Sequence, residues 1–282
     1  MQQAFAHCEA LVRAADRDRF LATLFAPRQR RGALFALYAF NLEIARVREV
    51  VRDPVAGEVR LQWWSDVLAG DGRGEIEAHP VASALRACVA RYGLPQERLQ
   101  TTISARRFDL YDEPMATLAD LEAYADGASS SLIALAAQIV NGGAPDIDAL
   151  SHHAGRAQAI AGLLKAFPFH AARGQLFVPL ELLERHGADR EDVRIGRATP
   201  ELRSALADLR DSARRHLHQA QDMARTVSPD VMPALLPVAL TGATLARMER
   251  GDYDPFVPVE IAPWRRQWLI WRAARRPSRI FR

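Results

Sequence analysis

The sequence predicts an all-α protein, one domain folded as a helical bundle. Three observations predict it. Apolar residues recur at three- and four-residue steps through most of the chain, Pro, Thr and Gly stand where helices would start and stop, and alternating Val-, Ile- and Thr-rich runs are nearly absent.

Over 28–51, Leu34, Leu37, Tyr38, Ile44, Val47 and Val51 share the helical step. Pro27 stands where a first helical residue would, and its fixed φ and missing N–H suit that place. His79-Pro80 opens the next helix, which runs through Val81, Leu85 and Val89 to Gly93, and Pro95 starts another that ends near Phe108. Thr117-Leu-Ala-Asp120 reads as a capping box before Leu121, Tyr124, Leu132, Leu135 and Ile139, with Asn141-Gly-Gly as the stop. Residues 146–166, 200–227, 229–249 and 263–275 complete a bundle of at least eight helices. Only Gln175–Pro179 reads as extended. Gly70-Asp-Gly-Arg-Gly74 is too short for a linker, and without a strand before it the segment does not qualify as a phosphate loop.

The 282 residues are 49% hydrophobic and 25% charged, enough for a packed core and too apolar for a disordered chain. Two cysteines, Cys8 and Cys88, exclude a disulfide framework and a thiolate zinc site. No apolar run is expected to approach the roughly 20 residues of a membrane span, and the first residues lack the order of a secretory signal. A cytoplasmic location follows as the expectation. The net charge of +3 is unevenly placed: the last nineteen residues hold seven Arg, no acid and three of the five Trp, so the remainder is acidic. That distribution argues against a nucleic-acid partner, which would require a basic face across the folded domain.

Common catalytic templates fail. There is no Gly-x-Ser-x-Gly, no Walker loop and no His-Glu-x-x-His. His216-Leu-His218 points two imidazoles to different sides of a helix, so both are expected on solvated surface, and His152-His153 is equally weak as a metal pair. Asp109 and Asp112 could share a helical face and hold Mg²⁺ through waters, but Pro114 follows at once and favours a helix end with solvated acids.

Two segments are more specific. The first is Leu24-Phe-Ala-Pro-Arg-Gln-Arg-Arg-Gly-Ala-Leu-Phe-Ala-Leu-Tyr-Ala-Phe40 with Asn41-Leu-Glu-Ile-Ala-Arg-Val-Arg-Glu49. The second runs from Gly155-Arg-Ala-Gln158 through Leu163-Leu-Lys165 to Arg173-Gly-Gln-Leu-Phe-Val-Pro179. Together with His79-Pro80-Val81 and Asp120-Leu-Glu-Ala-Tyr124, they resemble the squalene/phytoene synthase family. The resemblance implies an isoprenoid-synthase-type α-bundle with a central cavity. It also implies an activity, the head-to-head joining of two prenyl diphosphates, in which two Asp-rich motifs hold Mg²⁺ against the diphosphate leaving group.

The chain departs from that pattern at both motifs. Where the family's enzymes carry Asp-Asp-x-x-Asp, it has Ala45, Arg46 and Glu49, so one carboxylate remains and a cation stands where a metal would. At the second motif the two acids are replaced by Ala166 and His170. Phe40-Asn-Leu-Glu-Ile-Ala-Arg, Tyr124-Ala-Asp-Gly-Ala-Ser-Ser-Ser131 and Lys165-Ala-Phe-Pro-Phe-His170 are similar to a branch of the family that lacks the acidic motifs and assists assembly of respiratory complex I. The expectation is a non-catalytic accessory or assembly factor with no catalytic residue, no metal and no cofactor, its partners being respiratory-complex subunits or assembly intermediates. The alternatives are a head-to-head prenyltransferase, which would need Mg²⁺, and a prenyl-lipid binder without turnover.

Asn41, Arg46, Gln158, Lys165, His170 and Arg173 are the candidate ligand-binding residues, a polar, cationic cavity mouth suited to a diphosphate or carboxylate. The competing arrangement pairs Arg46 with Glu43 or Glu49 and closes that mouth. Ser129–Ser131 replace small residues of the family, either to admit a substrate chain or to pack helices closely. Residues 1–275 are expected to form the domain and 276–282 a basic tail. Trp264, Trp268 and Trp271 share one helical face among Arg residues, so 264–275 either docks on the domain or lies on an anionic membrane surface, which would place the protein peripherally on the inner membrane.

Overall fold

A computed structural model describes residues 1–51, 53–71 and 78–282. Among the described residues every regular element is helical, and Gln175–Pro179, the one expected extended segment, pairs with nothing as a strand. Most of the Gly-rich stretch at 70–74 lies outside the described residues; Gly70 itself ends a helix in the left-handed region, at φ +90°.

Helix α1 (Gln2–Ala15) and α2 (Arg17–Thr23) lead into α3 (Arg28–Ala45), the central helix of the first half. Every residue from Ala33 to Asn41 is buried. Alternating Ala and large apolar residues fill all sides of this helix, so it is enclosed by neighbours instead of showing one polar face. It is packed by α1, by α6 (Pro80–Tyr92) and by α9 (Ser131–Asn141). The expected 28–51 helix breaks at Arg46 (φ −89°, ψ 0°) and resumes as the short α4 (Val47–Val50), while Pro27 precedes the first helical residue with an extended ψ of 135°. Helices α5 (Pro54–Ala69) and α7 (Gln96–Arg107) pack on each other beside this core.

The capping box forms at the start of α8 (Leu118–Ala125): the Asp120 backbone N–H donates to Thr117 Oγ1 at 3.2 Å, and the Thr117 N–H donates to Asp120 Oδ2 at 2.9 Å. A π-helical turn, Asp126–Ser130, then joins α8 to α9. The following α10 (Asp148–Ala172) outruns its expected end at 166 and continues through Pro168. Proline there removes one backbone donor, but burial of Phe167 and Ala171 in the second core holds the helix on course. That core lies between α10, α11 (Leu180–His186), α13 (Pro200–Met223) and α15 (Thr241–Met248), with the short α12 (Arg190–Arg194) at its edge.

Residues 229–248 form no continuous helix. They are two 3-10 turns alternating with α14 (Met232–Leu235) and α15. Against the sequence expectation, Pro229–Met248 has the length of a membrane span and contains a window of matching mean hydropathy (1.4), but 78% of that window is buried inside the bundle.

Helix α16 (Pro263–Arg275) matches its expected bounds and docks on the first core through Leu269, Ile270 and Ala273. The expected tail at 276–282 is instead part of the domain. Ile280 and Phe281 are at most 2% exposed, and the Arg282 backbone sits so close to Gly242 that a Cβ there would stand 2.6 Å from it. Two apolar side chains among the arginines are enough to fold the end back.

Candidate functional site

A cavity of about 320 Å³ opens between α2, the π turn, α10 and α15. Asp16, Asp18 and Arg19 border one side, Gln158, Gly162 and Lys165 of α10 another, Tyr124, Ser129 and Arg106 a third, and Thr241 and Thr244 close it. Two features of local folding shape the wall. The π turn brings Ser129 to the cavity, where its hydroxyl donates to Gln158 Oε1 at 3.1 Å. Gly155 then lets α10 lie against that turn, since a Cβ at this position would stand 2.4 Å from the Ser130 backbone. Ser130 therefore serves close helix packing, while Ser129 faces the open space.

The polar groups are held in place from below. Arg19 Nη1 donates to Asp16 Oδ2 at 3.0 Å. Arg106 Nη1 donates to the Tyr124 hydroxyl at 2.7 Å and to Asp109 Oδ2 at 3.1 Å, and Tyr124 Oη donates to Asp109 Oδ1 at 2.9 Å. Asp109 is thus not the solvated acid its helix-end position suggests: it is buried against a guanidinium, while Asp112 stays exposed and pairs with Arg48. Burial works against the charge of Arg106, but the neighbouring Tyr124 and Asp109 outweigh it and raise its pKa. Burial likewise raises the Tyr124 phenol. Arg106 Nε is buried with no hydrogen-bond partner.

The expected ligand residues separate into groups. Gln158 and Lys165 line the cavity, and among the described residues Lys165 has no ion-pair partner. Arg46 and Arg173 flank Glu49 instead: Arg46 Nε is 3.8 Å from Glu49 Oε2, and Arg173 Nη1 is 3.6 Å from Glu49 Oε1. This exposed triplet faces the two altered motifs toward each other without lining the cavity. His170 packs on Phe177 with the rings tilted by 43° and their centroids 4.5 Å apart, beside a narrow apolar void. Burial, with Arg173 nearby, lowers its pKa to about 4. Asn41 is buried in α3, and its Oδ1 has no partner.

These residues do not fit Mg²⁺ at the altered motifs. Hard divalent cations require several oxygen ligands. Ala45 and Ala166 supply none, His170 presents a neutral imidazole, and the one carboxylate, Glu49, is shared by two guanidinium groups.

A second polar cluster lies across α10 from the cavity, and sequence reasoning missed it. Arg156 Nη2 donates to Asp126 Oδ2 at 2.7 Å, and the same guanidinium pairs with Glu122. His152 Nδ1 lies 2.9 Å from Asp126 Oδ1, and His216 Nε2 lies 3.3 Å from Glu122 Oε1. His153 and His216 meet through their Nδ1 atoms. His216 is thus buried, not solvated, whereas His218 two residues on is exposed, as the i,i+2 spacing requires. Among the described residues, no group of three or more His, Cys, Asp and Glu side chains could hold a metal ion.

An all-helical bundle with a polar-lipped cavity beside its longest helix is the architecture of the isoprenoid-synthase class. Over 90% of its length the chain superposes on the squalene synthase HpnC from Alicyclobacillus acidocaldarius, covering 96% of that chain with a TM-score of 0.77 at 24% identity. Residues 12–272 match the family model for squalene/phytoene synthase, and the chain belongs to that family. It is 31% identical over 254 residues to the human protein named NADH dehydrogenase (ubiquinone) complex I, assembly factor 6, a match covering 89% of this chain and 76% of the relative. It is 29% identical over 204 residues to presqualene diphosphate synthase from Rhodopseudomonas palustris, 71% and 72% of the two chains.

Proposed function

We propose that the protein is a non-catalytic member of the squalene/phytoene synthase family that works as an assembly factor for respiratory complex I. The observation that carries this reading is the Arg46–Glu49–Arg173 triplet. Ionising a prenyl diphosphate in the family's manner needs cations held by carboxylates at this position. Here the protein supplies guanidinium groups instead, so no metal-assisted departure of diphosphate is available. The 31% identity to the human assembly factor points to the same role. The partners are then respiratory-complex subunits or assembly intermediates, and no cofactor is required.

The test is a deletion strain scored in parallel for assembled complex I and for triterpene and carotenoid content, alongside purified protein incubated with farnesyl diphosphate and Mg²⁺. The expected result is reduced complex I, unchanged isoprenoids and no diphosphate release. Lost isoprenoid product with intact complex I would establish the prenyltransferase alternative instead.

A second reading rests on the retained cavity. Lys165, which lines the cavity without an ion-pair partner among the described residues, offers charge for the head of an anionic prenyl lipid bound without turnover. Saturable binding of farnesyl or geranylgeranyl diphosphate that is independent of Mg²⁺ and weakened by Lys165→Gln supports it, and absence of saturable binding removes it.

A further inference from the structure

Helix α16 is docked on one side and bare on the other. At 100° per residue, Leu269, Ile270 and Ala273 fall on a single face, and each is at most 6% exposed. Arg266 belongs to the same side, where its Nε donates to Asp18 Oδ1 at 2.9 Å. Trp264, Trp268 and Trp271 lie diametrically opposite and are 70%, 46% and 48% exposed. The bundle thus buries the helix through small and branched aliphatic residues and turns its three largest apolar side chains outward. Indoles are costly to leave in water, and a contiguous set of them marks a contact surface.

The charges on this face have one sign. The Arg272 guanidinium lies 4.3 Å from the Trp268 ring centroid, and that of Arg275 lies 5.5 Å from the Trp271 ring. Arg275 is exposed and Arg272 half-buried, Arg265 adds a further exposed cation, and residues 261–282 contain no Asp or Glu. The face is also held rigidly, since the Arg266–Asp18 pair fixes one end and the buried Ile280 and Phe281 fix the chain just beyond the other.

We propose that the outward face of α16 seats the protein on an anionic phospholipid bilayer. Indole rings favour the depth of the headgroups, where the ring is shielded and the N–H still finds acceptors. Guanidinium groups beside them pair with lipid phosphates in a bidentate fork. A protein groove of the same depth would be served by Leu, Ile or Phe, and none of these stands on the outward face. The inference does not depend on the assembly role, because the face would bind lipid whatever the cavity does.

The test is co-sedimentation of the full chain with vesicles of equimolar phosphatidylcholine and phosphatidylglycerol, with pure phosphatidylcholine for comparison, while tryptophan emission is followed. Binding to the anionic vesicles, a blue shift, and weakening by high salt are the expected results. The triple variant Trp264→Ala/Trp268→Ala/Trp271→Ala should bind about tenfold or more weakly while staying folded, since the buried contacts that dock α16 are made by Leu269, Ile270 and Ala273. Replacing Arg265, Arg272 and Arg275 by Gln should remove the preference for anionic lipid. No binding to either vesicle overturns the proposal, as does undiminished binding of the Trp triple variant. Retention on native membranes that disappears after protease shaving, without vesicle binding, overturns it in favour of a protein partner.

Discussion

The Nδ1 atoms of His153 and His216 lie 2.9 Å apart, one on α10 and the other on α13. At that distance one nitrogen donates and the other accepts, so at least one ring is neutral in the folded protein. Burial lowers the pKa of both, and for His153 the neighbouring His216, His152 and Arg156 add to the effect. Glu122 beside His216 opposes the shift without reversing it. An unfolded histidine titrates near 6.5, so the unfolded chain takes up protons first as the pH falls below that value. The stability these rings contribute is complete above about pH 6.5 and is lost on acidification. His170 acts in the same direction from about 6.5 down to about 4. Being partly exposed, it contributes on the order of 2 kcal/mol over that span. Urea unfolding across this range should show a falling midpoint, and His170→Phe should flatten the lower part of the curve.

The parts of the fold legible in the sequence are those that one residue's backbone chemistry decides. Thr117 and Asp120 cap α8, His79-Pro80 opens α6, and Gly93 and Gly142 end their helices at positive φ. The break at Arg46 and the π turn at 126–130 were not legible, since no local residue signal marks either, and the turn is held by the close approach of Gly155 to Ser130. The cavity was readable in part. Gln158 and Lys165 share a face of one helix, so their spacing places them together, but Arg19, Arg106 and Tyr124 reach the cavity from separate helices. Nothing local announces that His153 and His216, 63 residues apart, will touch.

Removing Asp109 should be among the most damaging single changes. Asp109→Ala would leave Arg106 buried beside Tyr124 with its carboxylate partner gone, a loss of about 3–5 kcal/mol. Tyr124→Phe keeps the ion pair and removes two hydrogen bonds, for about 1–2 kcal/mol. The double variant Arg106→Leu/Asp109→Leu removes both charges and should recover much of the Asp109→Ala loss. Chemical denaturation of the three variants checks the order.

Two glycines of α10 should respond to alanine with opposite signs. A Cβ at Gly155 would meet the N and Cα of Ser130 at 2.4 Å, and backbone there can yield only by moving the π turn. Gly155→Ala should therefore destabilise by about 1–3 kcal/mol. At Gly162, on the cavity side of the same helix, a Cβ meets nothing within 4 Å. The gain in helix propensity should then stabilise Gly162→Ala by about 0.5–1 kcal/mol. Unfolding midpoints with unchanged slopes would confirm both as effects on the folded bundle.

The buried end of the chain separates charge from packing. Phe281 is 2% exposed within the first core, so Phe281→Ala should cost about 3–5 kcal/mol through lost burial and the cavity left behind. Arg276 is exposed and makes no ion pair among the described residues, so Arg276→Gln should change stability by less than about 0.5 kcal/mol. Because the residues after α16 are anchored by Ile280 and Phe281, loosening them should free the end of that helix before the rest of the bundle unfolds. Hydrogen exchange of Phe281→Ala should then show protection lost first over 269–275, ahead of α3 and α10. Uniform loss across all three helices would instead make the last residues an inseparable part of one cooperative core.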